Sequence, residues 1–387
     1  MKTAYRNRIY PSTEQANQLM RDINAARFVW NNALGNAKES KWNYNAASKN
    51  LTELKQTEEW LKEASATALS QKLMDLKDGF TRFFRKQNGF PHFRSKDDFK
   101  QSVRFQDTEL LGCWIKIPKC GWIRLKLTAD VMQPKMITIS REGKYWFASF
   151  SYEMTEPEAT EPKANQILGL DLGLKDFAIT TNEYGDTEYH KLPELTKKEQ
   201  RKRKYMRMMH RRKKGSKRRS KAKTFVAKAS RKITNIRRDF HHKLSNKLTC
   251  ENQALAIETL NVKGMQKNRS LARAIQESSW SQFITYLLYK AERRGNEIIR
   301  VDRWFPSSKT CSNCGTKNTE LQLKDRKWTC NSCSSIHNRD ENAARNLVLE
   351  GLRSLYPEAL GNLRSWSDVP LFLGISTHDE ARMKMAI

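Results

Sequence analysis

The 387-residue sequence has no apolar run approaching the roughly 18 residues of a membrane-spanning helix, and its opening, MKTAYRNRIY, lacks the apolar stretch of a secretory leader. An intracellular protein with no membrane association is expected. No segment repeats at a period of roughly 20 to 50 residues, so no repeat architecture is expected either. Acids are scarce: 42 Asp and Glu stand against 72 Lys and Arg, a formal charge of +30 with a pI near 9.9. That imbalance calls for a polyanionic partner. Cysteine is sparse as well. Of seven, Cys113, Cys120 and Cys250 are scattered through apolar context, and the other four form two CxxC pairs. In a reducing compartment such pairs read as metal ligands rather than disulfides. Core-forming material is present: hydrophobic residues make up 38% and aromatics 10%, too much for a disordered basic tail. The length suits two or three domains of roughly 100 to 200 residues each.

The order of segments gives the organisation. A first strand, Thr3 to Tyr10, leads through Pro11 into Ser12-Thr13-Glu14-Gln15, a capping box that opens a helix carrying Ala16, Leu19, Met20, Ile23, Ala26, Trp30, Ala33 and Leu34. Leu69, Leu73, Leu76, Phe80, Phe83 and Phe84 mark a second long helix ending at Gly89 and Pro91. From Val103 to Tyr152 the texture changes to short alternating runs. Trp114 to Ile117, Ile137 to Ser140 and Tyr145 to Tyr152 read as strands, the last two joined by Arg141-Glu142-Gly143-Lys144, and with the first strand they predict a small β-barrel. A linker is expected over Glu153 to Lys163 and a new domain near Gln166. There, strands at Ile167 to Leu170, Phe177 to Thr181, Ala254 to Ile257 and Glu297 to Val301 interleave with a basic helical region and a helix from Gln276 to Arg294. This alternation predicts an α/β sheet domain.

Three acids stand at the ends of these elements. Asp171 follows a buried strand in GLDLGLKDFA, Glu258 ends ALAIE, and Asp340 opens a helix in HNRDENAARNLV, where Ala343, Ala344, Leu347 and Val348 form the apolar stripe. Singly, such residues are commonly turn or cap residues. Together, in the order strand, strand, helix, they could converge to hold two divalent cations for phosphodiester cleavage, and hard carboxylate oxygens suit Mg²⁺ or Mn²⁺.

Cys311-Ser-Asn-Cys314 and Cys330-Asn-Ser-Cys333 are fifteen residues apart, the pattern of a closed tetrahedral structural zinc site, with Leu321, Leu323 and Trp328 on the intervening hairpin. Residues Lys197 to Lys223 hold 16 Lys or Arg against a single acid, Glu199, and continue as an amphipathic helix through Ile233, Ile236, Phe240 and Leu244. Charges this dense repel one another, and phosphate contacts explain them better than a merely solvated or targeting run.

On FVWNNAL near residue 30, GFPHFRSK at 89–96, GLDLGLKDFA, AIETLNVKGM at 256–265, WFPSSKTCSNCG at 304–315 and HNRDENAARN at 337–346, the chain resembles the TnpB family of transposon-encoded RNA-guided DNA endonucleases. The resemblance implies an α/β RuvC-like nuclease domain of RNase H type over 166–306 and 337–355, interrupted by a zinc ribbon over 307–336. It further implies a β-barrel wedge domain from 1–10 and 97–165, a helical recognition domain over 11–96, and a tail, 356–387, without an assignable pattern. The family's catalytic acids fall on Asp171, Glu258 and Asp340, with Mg²⁺ or Mn²⁺ as their metal, and its zinc ligands on Cys311, Cys314, Cys330 and Cys333. Implied partners are a guide RNA from the transposon end and target DNA carrying a short flanking motif, with no membrane. A monomer holding one RNA, in the cytoplasm of a prokaryotic cell and associated with its nucleoid, is expected. Two departures stand out: Ser334 where the second knuckle usually has Gly, and His337-Asn338-Arg339-Asp340 where His-Asp-Arg-Asp is common. The rival readings are a strand-transfer transposase on an RNase H-like fold, a non-cutting RNA-guided regulator, and a basic RNA-binding protein without chemistry.

Overall fold

The computed structural model describes residues 2–39, 42–96, 98, 100–127, 133–134, 136–153, 165–322, 324–360, 365–366 and 369. It divides into two compact units, Met1–Glu156 and Pro157–Ile387.

In the first unit, β1 (Lys2–Tyr10) precedes α1 (Thr13–Glu39). The capping box is formed in both directions: the Gln15 amide donates to Ser12 Oγ at 3.2 Å, and the Ser12 amide donates to Gln15 Oε1 at 2.9 Å. Neither α2 (Tyr44–Thr57) nor a 3₁₀ turn (Glu59–Glu63) was read from the sequence. The first is opened by Asn43, whose side chain accepts from the amides of Asn45 and Ala46. Helix α3 (Ala66–Phe84) buries Leu69, Leu73, Leu76 and Phe80, and stops short of the expected Gly89. Strands β2 (Lys100–Gln106), β3 (Glu109–Leu111), β4 (Trp114–Ile117), β5 (Gly121–Lys126), β6 (Met136–Glu142) and β7 (Tyr145–Glu153) follow. They join β1 in a seven-stranded sheet of order β2-β6-β7-β1-β5-β4-β3. β1 sits inside this sheet, antiparallel to both β7 and β5, and β2 and β3 lie at its two ends. The helices and the sheet, expected as two domains, share one core: Leu19, Ile23 and Leu73 cluster with Ile9, Val103 and Phe150.

The second unit begins with β8 (Asn165–Asp171), β9 (Ala178–Asn182) and β10 (Thr187–His190). Then come α4 (Thr196–His210), α5 (Lys217–Glu251), β11 (Asn252–Glu258), α6 (Val262–Met265), α7 (Ala272–Ser278), α8 (Trp280–Arg294) and β12 (Glu297–Val301). The expected single helix over 276–294 is broken at Ser279, whose φ of 56° lies in the left-handed region that α-helices avoid. Then follow β13 (Lys327–Thr329), β14 (Ile336–Asn338), α9 (Arg339–Leu355) and a short α10 (Pro357–Leu360). The main sheet has the order β10-β9-β8-β11-β12. Its first three strands run antiparallel, and β8, β11 and β12 run parallel.

Alternation along the parallel strands divides their side chains between two cores. Leu168, Leu170, Leu255 and Ile257 meet Leu244 and Leu248 of α5 and Phe283 and Leu287 of α8. Ile167, Ala254, Ala256, Ile299 and Val301 meet Leu347, Val348 and Leu352 of α9. The fold is thus mixed α/β, with the parallel part of the sheet covered on both faces. Among the described residues no helix is long and apolar enough to cross a membrane. Leu323, the expected linker over 154–163 and most of the tail lie outside the described residues.

Candidate active site

Parallel pairing sets the first two acids side by side. β11 pairs with β8 through Ala256↔Gly169 and Ile257↔Leu170. The next step of the same register places Glu258 beside Asp171, at the carboxyl ends of adjacent strands. Both continue the alternation of Ile167 and Gly169, and of Ala254 and Ala256, so both lie on the face covered by α9.

Two glycines bring that helix close. A Cβ at Gly169 would overlap the Ala344 carbonyl oxygen and crowd Val348 Cγ2 at 2.8 Å. A Cβ at Gly351 would overlap Ile167 Cδ1 and lie 2.9 Å from Ala256 Cβ. Gly351 therefore sits over Ile167, and residues 344 and 348 sit over Gly169. The helix runs antiparallel to β8, and its first turn, with Asp340, reaches the end of the strand where Asp171 stands. Asn338 caps this turn, its Oδ1 accepting from the Asp340 amide at 3.2 Å. An Asp at 338 would cap equally well but would add a fourth negative charge to the group.

The electrostatics reflect this meeting. Asp171 is pushed up to about 7 by burial first, then by the charges of Glu258 and Asp340, against the pull of Arg339 and Arg326. Burial also raises the Glu258 carboxyl above its ordinary value. Three carboxylates held this way in one polar end of a sheet are short of positive charge, which a divalent cation would provide. Arg326 provides part of it: its Nη1 lies 3.0 Å from Asp340 Oδ2 and 3.3 Å from Oδ1.

Four sulfurs form a second centre. Cys311 Sγ is 3.6 Å from Cys333 Sγ, Cys314 Sγ is 3.5 Å from Cys330 Sγ, and all four lie within 4.8 Å of one another. Zinc–sulfur bonds of about 2.3 Å at tetrahedral angles require sulfurs about 3.8 Å apart. The four thiols fit that ion, and none is disulfide-bonded. β13 and β14 flank the second knuckle and pair with each other, β14 leading into α9, with His337 Nε2 at 3.0 Å from Cys311 Sγ. Ser334 adopts φ 59°, matching Gly315 at φ 75° in the first knuckle, so the unusual Ser occupies a left-handed position that favours glycine.

Sequence reasoning missed the residues that tie this ribbon to the acids. Asn342 Oδ1 accepts from the Ser312 amide at 2.9 Å, and its Nδ2 donates to the Thr310 carbonyl at 2.7 Å. Asn346 donates to the Ser307 and Thr310 carbonyls, both at 2.7 Å. Both asparagines are buried, and their spacing of four residues on one helix face was a usable signal. Tyr189 was also missed; its hydroxyl meets Glu341 and accepts from Asn338 Nδ2 at 3.1 Å.

The basic run occupies α4, the turn after it and the start of α5. Twelve of its sixteen Lys and Arg residues are exposed, so most are not engaged in holding the fold. Its lone acid, Glu199, is buried and pairs with Arg237 at 2.9 Å. Tyr205 stacks on Phe225, with ring centroids 5.4 Å apart, and holds the two helices together.

Comparison with known proteins agrees with this layout. Residues 149–269 match the OrfB_IS605 family, described as "Probable transposase". Residues 280–347 match a Cas12f1-like TNB domain, and residues 1–45 a helix-turn-helix domain. A Streptomyces pristinaespiralis protein named "Putative RNA-guided DNA endonuclease" is 35% identical over 374 residues, covering 91% of this chain and 90% of its own. InsQ of Escherichia coli K12, which carries the same description, is 28% identical over 380 residues, covering 90% and 92%. In fold, the chain is similar to a Cas12f1 protein solved with a single guide RNA and target DNA. The TM-score is 0.57 at 13% identity, over 90% of this chain and 98% of that one.

Proposed function

The chain belongs to the OrfB_IS605 family of TnpB-like proteins, and from that premise we propose that it is a transposon-encoded, RNA-guided DNA endonuclease. The observation that carries the proposal is the meeting of Asp171, Glu258 and Asp340 at one end of the sheet, each delivered by a different element. The strand order supports a RuvC-like domain of RNase H type. In this reading the three carboxylates hold Mg²⁺ or Mn²⁺, which would supply an activated water and stabilise the leaving oxygen of a phosphodiester. Asp171 and Glu258 hold their positions through the parallel register, and Asp340 through the Asn338 cap and the close approach of α9. Cys311, Cys314, Cys330 and Cys333 hold a structural Zn²⁺, which fixes the ribbon and with it Arg326. Glycine at 169 and 351 makes the whole arrangement possible.

The partners follow from the charge. The exposed cations of α4 and α5 offer a surface suited to the phosphates of a guide RNA. Target DNA is the substrate, recognised next to a short flanking motif, and a single copy of the chain with one RNA suffices. The first unit divides its labour in this reading: its helices, 11–96, serve recognition, and its strands serve as the wedge.

The deciding experiment is to purify the protein from cells expressing its native locus, sequence the RNA that co-purifies, and offer the complex DNA matching that RNA. Mg²⁺-dependent cutting of the matched DNA alone is expected. A complex that carries RNA but leaves every matched DNA intact would refute the endonuclease assignment.

A further inference from the structure

The first unit contains a cavity of about 500 Å³, separate from the acids and the cysteines. Its walls come from α1, α3, the segment 88–96 with Asp98, and the start of β2. The segment 88–96 has no regular structure of its own, yet its backbone is fastened to α1. Trp30 Nε1 donates to the His92 carbonyl at 3.0 Å, and the Asn31 side chain exchanges two hydrogen bonds, of 3.0 and 2.8 Å, with the Arg94 backbone. Pro91 is buried against this wall. The cavity is therefore a built feature with a fixed rim.

Its chemistry is specific. The Arg94 guanidinium lies over the Trp30 ring, 3.9 Å from the centroid, and presents a flat cationic plane. Phe90 stands beside it, 44% exposed, with Phe80 and Phe83 edge-on behind it. Lys72 is only 3% exposed and shares Asp75 with Arg104, at 2.8 and 3.2 Å. The lining acid, Asp98, accepts from the Ser95 amide. Three Lys and Arg residues, Arg27, Lys72 and Arg94, line the cavity with it. Burial lowers both the Lys72 ammonium and the Arg94 guanidinium from their ordinary values, so each would gain from a nearby anion. Arg27 adds a second guanidinium to the cavity wall, a group that pairs strongly with phosphate.

A ligand suited to this cavity carries both an anion and a flat ring. Phosphate pairs strongly with guanidinium, and nucleobases stack on aromatic rings and on guanidinium planes. The volume falls within the roughly 300–1,000 Å³ of small-molecule sites. We propose that this cavity binds one nucleotide, its phosphate on Arg27 and its base against the Arg94–Trp30 stack and Phe90. A free mononucleotide and a nucleotide unit of a single strand share this chemistry. Only the second source rests on the proposed function.

The test uses the full chain, with AMP and a single-stranded hexanucleotide as separate probes in equilibrium dialysis. Arg27→Gln removes one guanidinium from the cavity wall. Gly79→Leu fills the cavity without changing a charge, and Gly79→Ala is its control. A Cβ at Gly79 meets only Pro91 Cγ at 3.5 Å and Trp30 Cη2 at 3.9 Å, which is ordinary contact. Thermal melts check that each variant folds. Arg27→Gln and Gly79→Leu are each expected to weaken AMP binding at least about tenfold, with Gly79→Ala near wild type. A parallel loss for the hexanucleotide assigns the site to a strand, and a loss confined to AMP assigns it to a free nucleotide. Wild-type affinity for both probes in both folded variants, or no AMP binding by the wild type at millimolar concentration, overturns the proposal. Guided DNA cutting measured on the same preparations keeps the two readings apart, because cutting that persists alongside either of those results leaves the endonuclease assignment standing.

Discussion

Arg326 holds both carboxylate oxygens of Asp340 with one nitrogen, at 3.0 and 3.3 Å, and so joins the loop between the cysteine knuckles to the first turn of α9. Arg326 is about half exposed, so the pair itself contributes little to stability. Its consequence is local, because the guanidinium occupies oxygens that a metal ion would use. Arg326→Ala is expected to lower the Mg²⁺ concentration for half-maximal DNA cutting several-fold while the melting temperature stays nearly constant. An unchanged Mg²⁺ dependence would sink this reading of the contact.

Asp171→Asn, Glu258→Gln and Asp340→Asn each remove one acid and no positive charge. Losing a direct metal ligand should exceed the 10- to 100-fold typical of outer-shell changes, so cutting should fall at least about a hundredfold. RNA binding, measured by filter retention, should stay within about twofold of wild type, since it depends on phosphate contacts made elsewhere. In chelator at neutral pH, Asp171→Asn is expected to melt no lower than wild type, because it relieves repulsion from Glu258 and Asp340. Wild-type cutting by all three variants would show that the acids are placed for another reason.

Gly169→Ala is expected to cost about 1–3 kcal/mol of stability, the range for overpacking a close contact. The added methyl meets the Ala344 backbone, which cannot move without moving α9. Cutting should suffer more than RNA binding, because Asp340 travels with the helix. Gly351→Ala meets the tip of the Ile167 side chain and, at 2.9 Å, the Ala256 Cβ, and Ile167→Val should restore only the part lost to the first. Equal melting curves for wild type and Gly169→Ala would mean that the helix crossing is looser than the geometry requires.

Metal analysis of purified protein should find about one zinc per chain, and a Cys330→Ser, Cys333→Ser double variant should retain little. Removing the zinc should slow cutting through the Asn342 and Asn346 hydrogen bonds, which tie the ribbon to the helix bearing Asp340, rather than through loss of a catalytic metal. Ser334→Gly should stabilise the ribbon by about 1 kcal/mol, since φ 59° is strained for serine. Full zinc content in the double variant would remove the cysteines from the site.

Replacing Arg203, Lys204, Arg207, Lys213, Lys214 and Lys217 by Gln should weaken nucleic-acid binding without regard to sequence. All six are exposed. Each lost phosphate contact should flatten the slope of log affinity against log salt by roughly 0.7 for a single strand and 0.9 for a duplex. Titrations at several salt concentrations should show the change mainly toward RNA. A change confined to duplex DNA would favour an unguided transposase, and an unchanged slope for both would reduce the run to a solvated surface.

Signals confined to one contiguous segment were legible in the sequence. The Ser12–Gln15 capping box, the β6–β7 hairpin, β12 over Glu297–Val301 and the two CxxC knuckles all depend on spacing within a few residues. Each was readable because backbone geometry alone imposes that spacing. Asp171, Glu258 and Asp340 were each legible as an acid at the end of an element, for the same reason. Helix α2 was not, since its apolar residues are few and Asn43 reads equally well as a turn, and the break at Ser279 leaves no composition signal at all.

Tertiary structure alone decided which segments meet. Register is a choice between strands far apart in the chain, and only the pairing of Ile257 with Leu170 makes neighbours of two acids 87 residues apart. The value of Gly169 and Gly351 lies in the space each leaves for the other element, which a glycine in a strand or a helix does not announce. Arg326 is one arginine among many until β13 and β14 pair and carry it to Asp340. The helices and strands of the first unit read as two domains because their patterns differ, yet apolar side chains seek burial without regard to the element that bears them, and Leu19, Leu73 and Val103 share a single core.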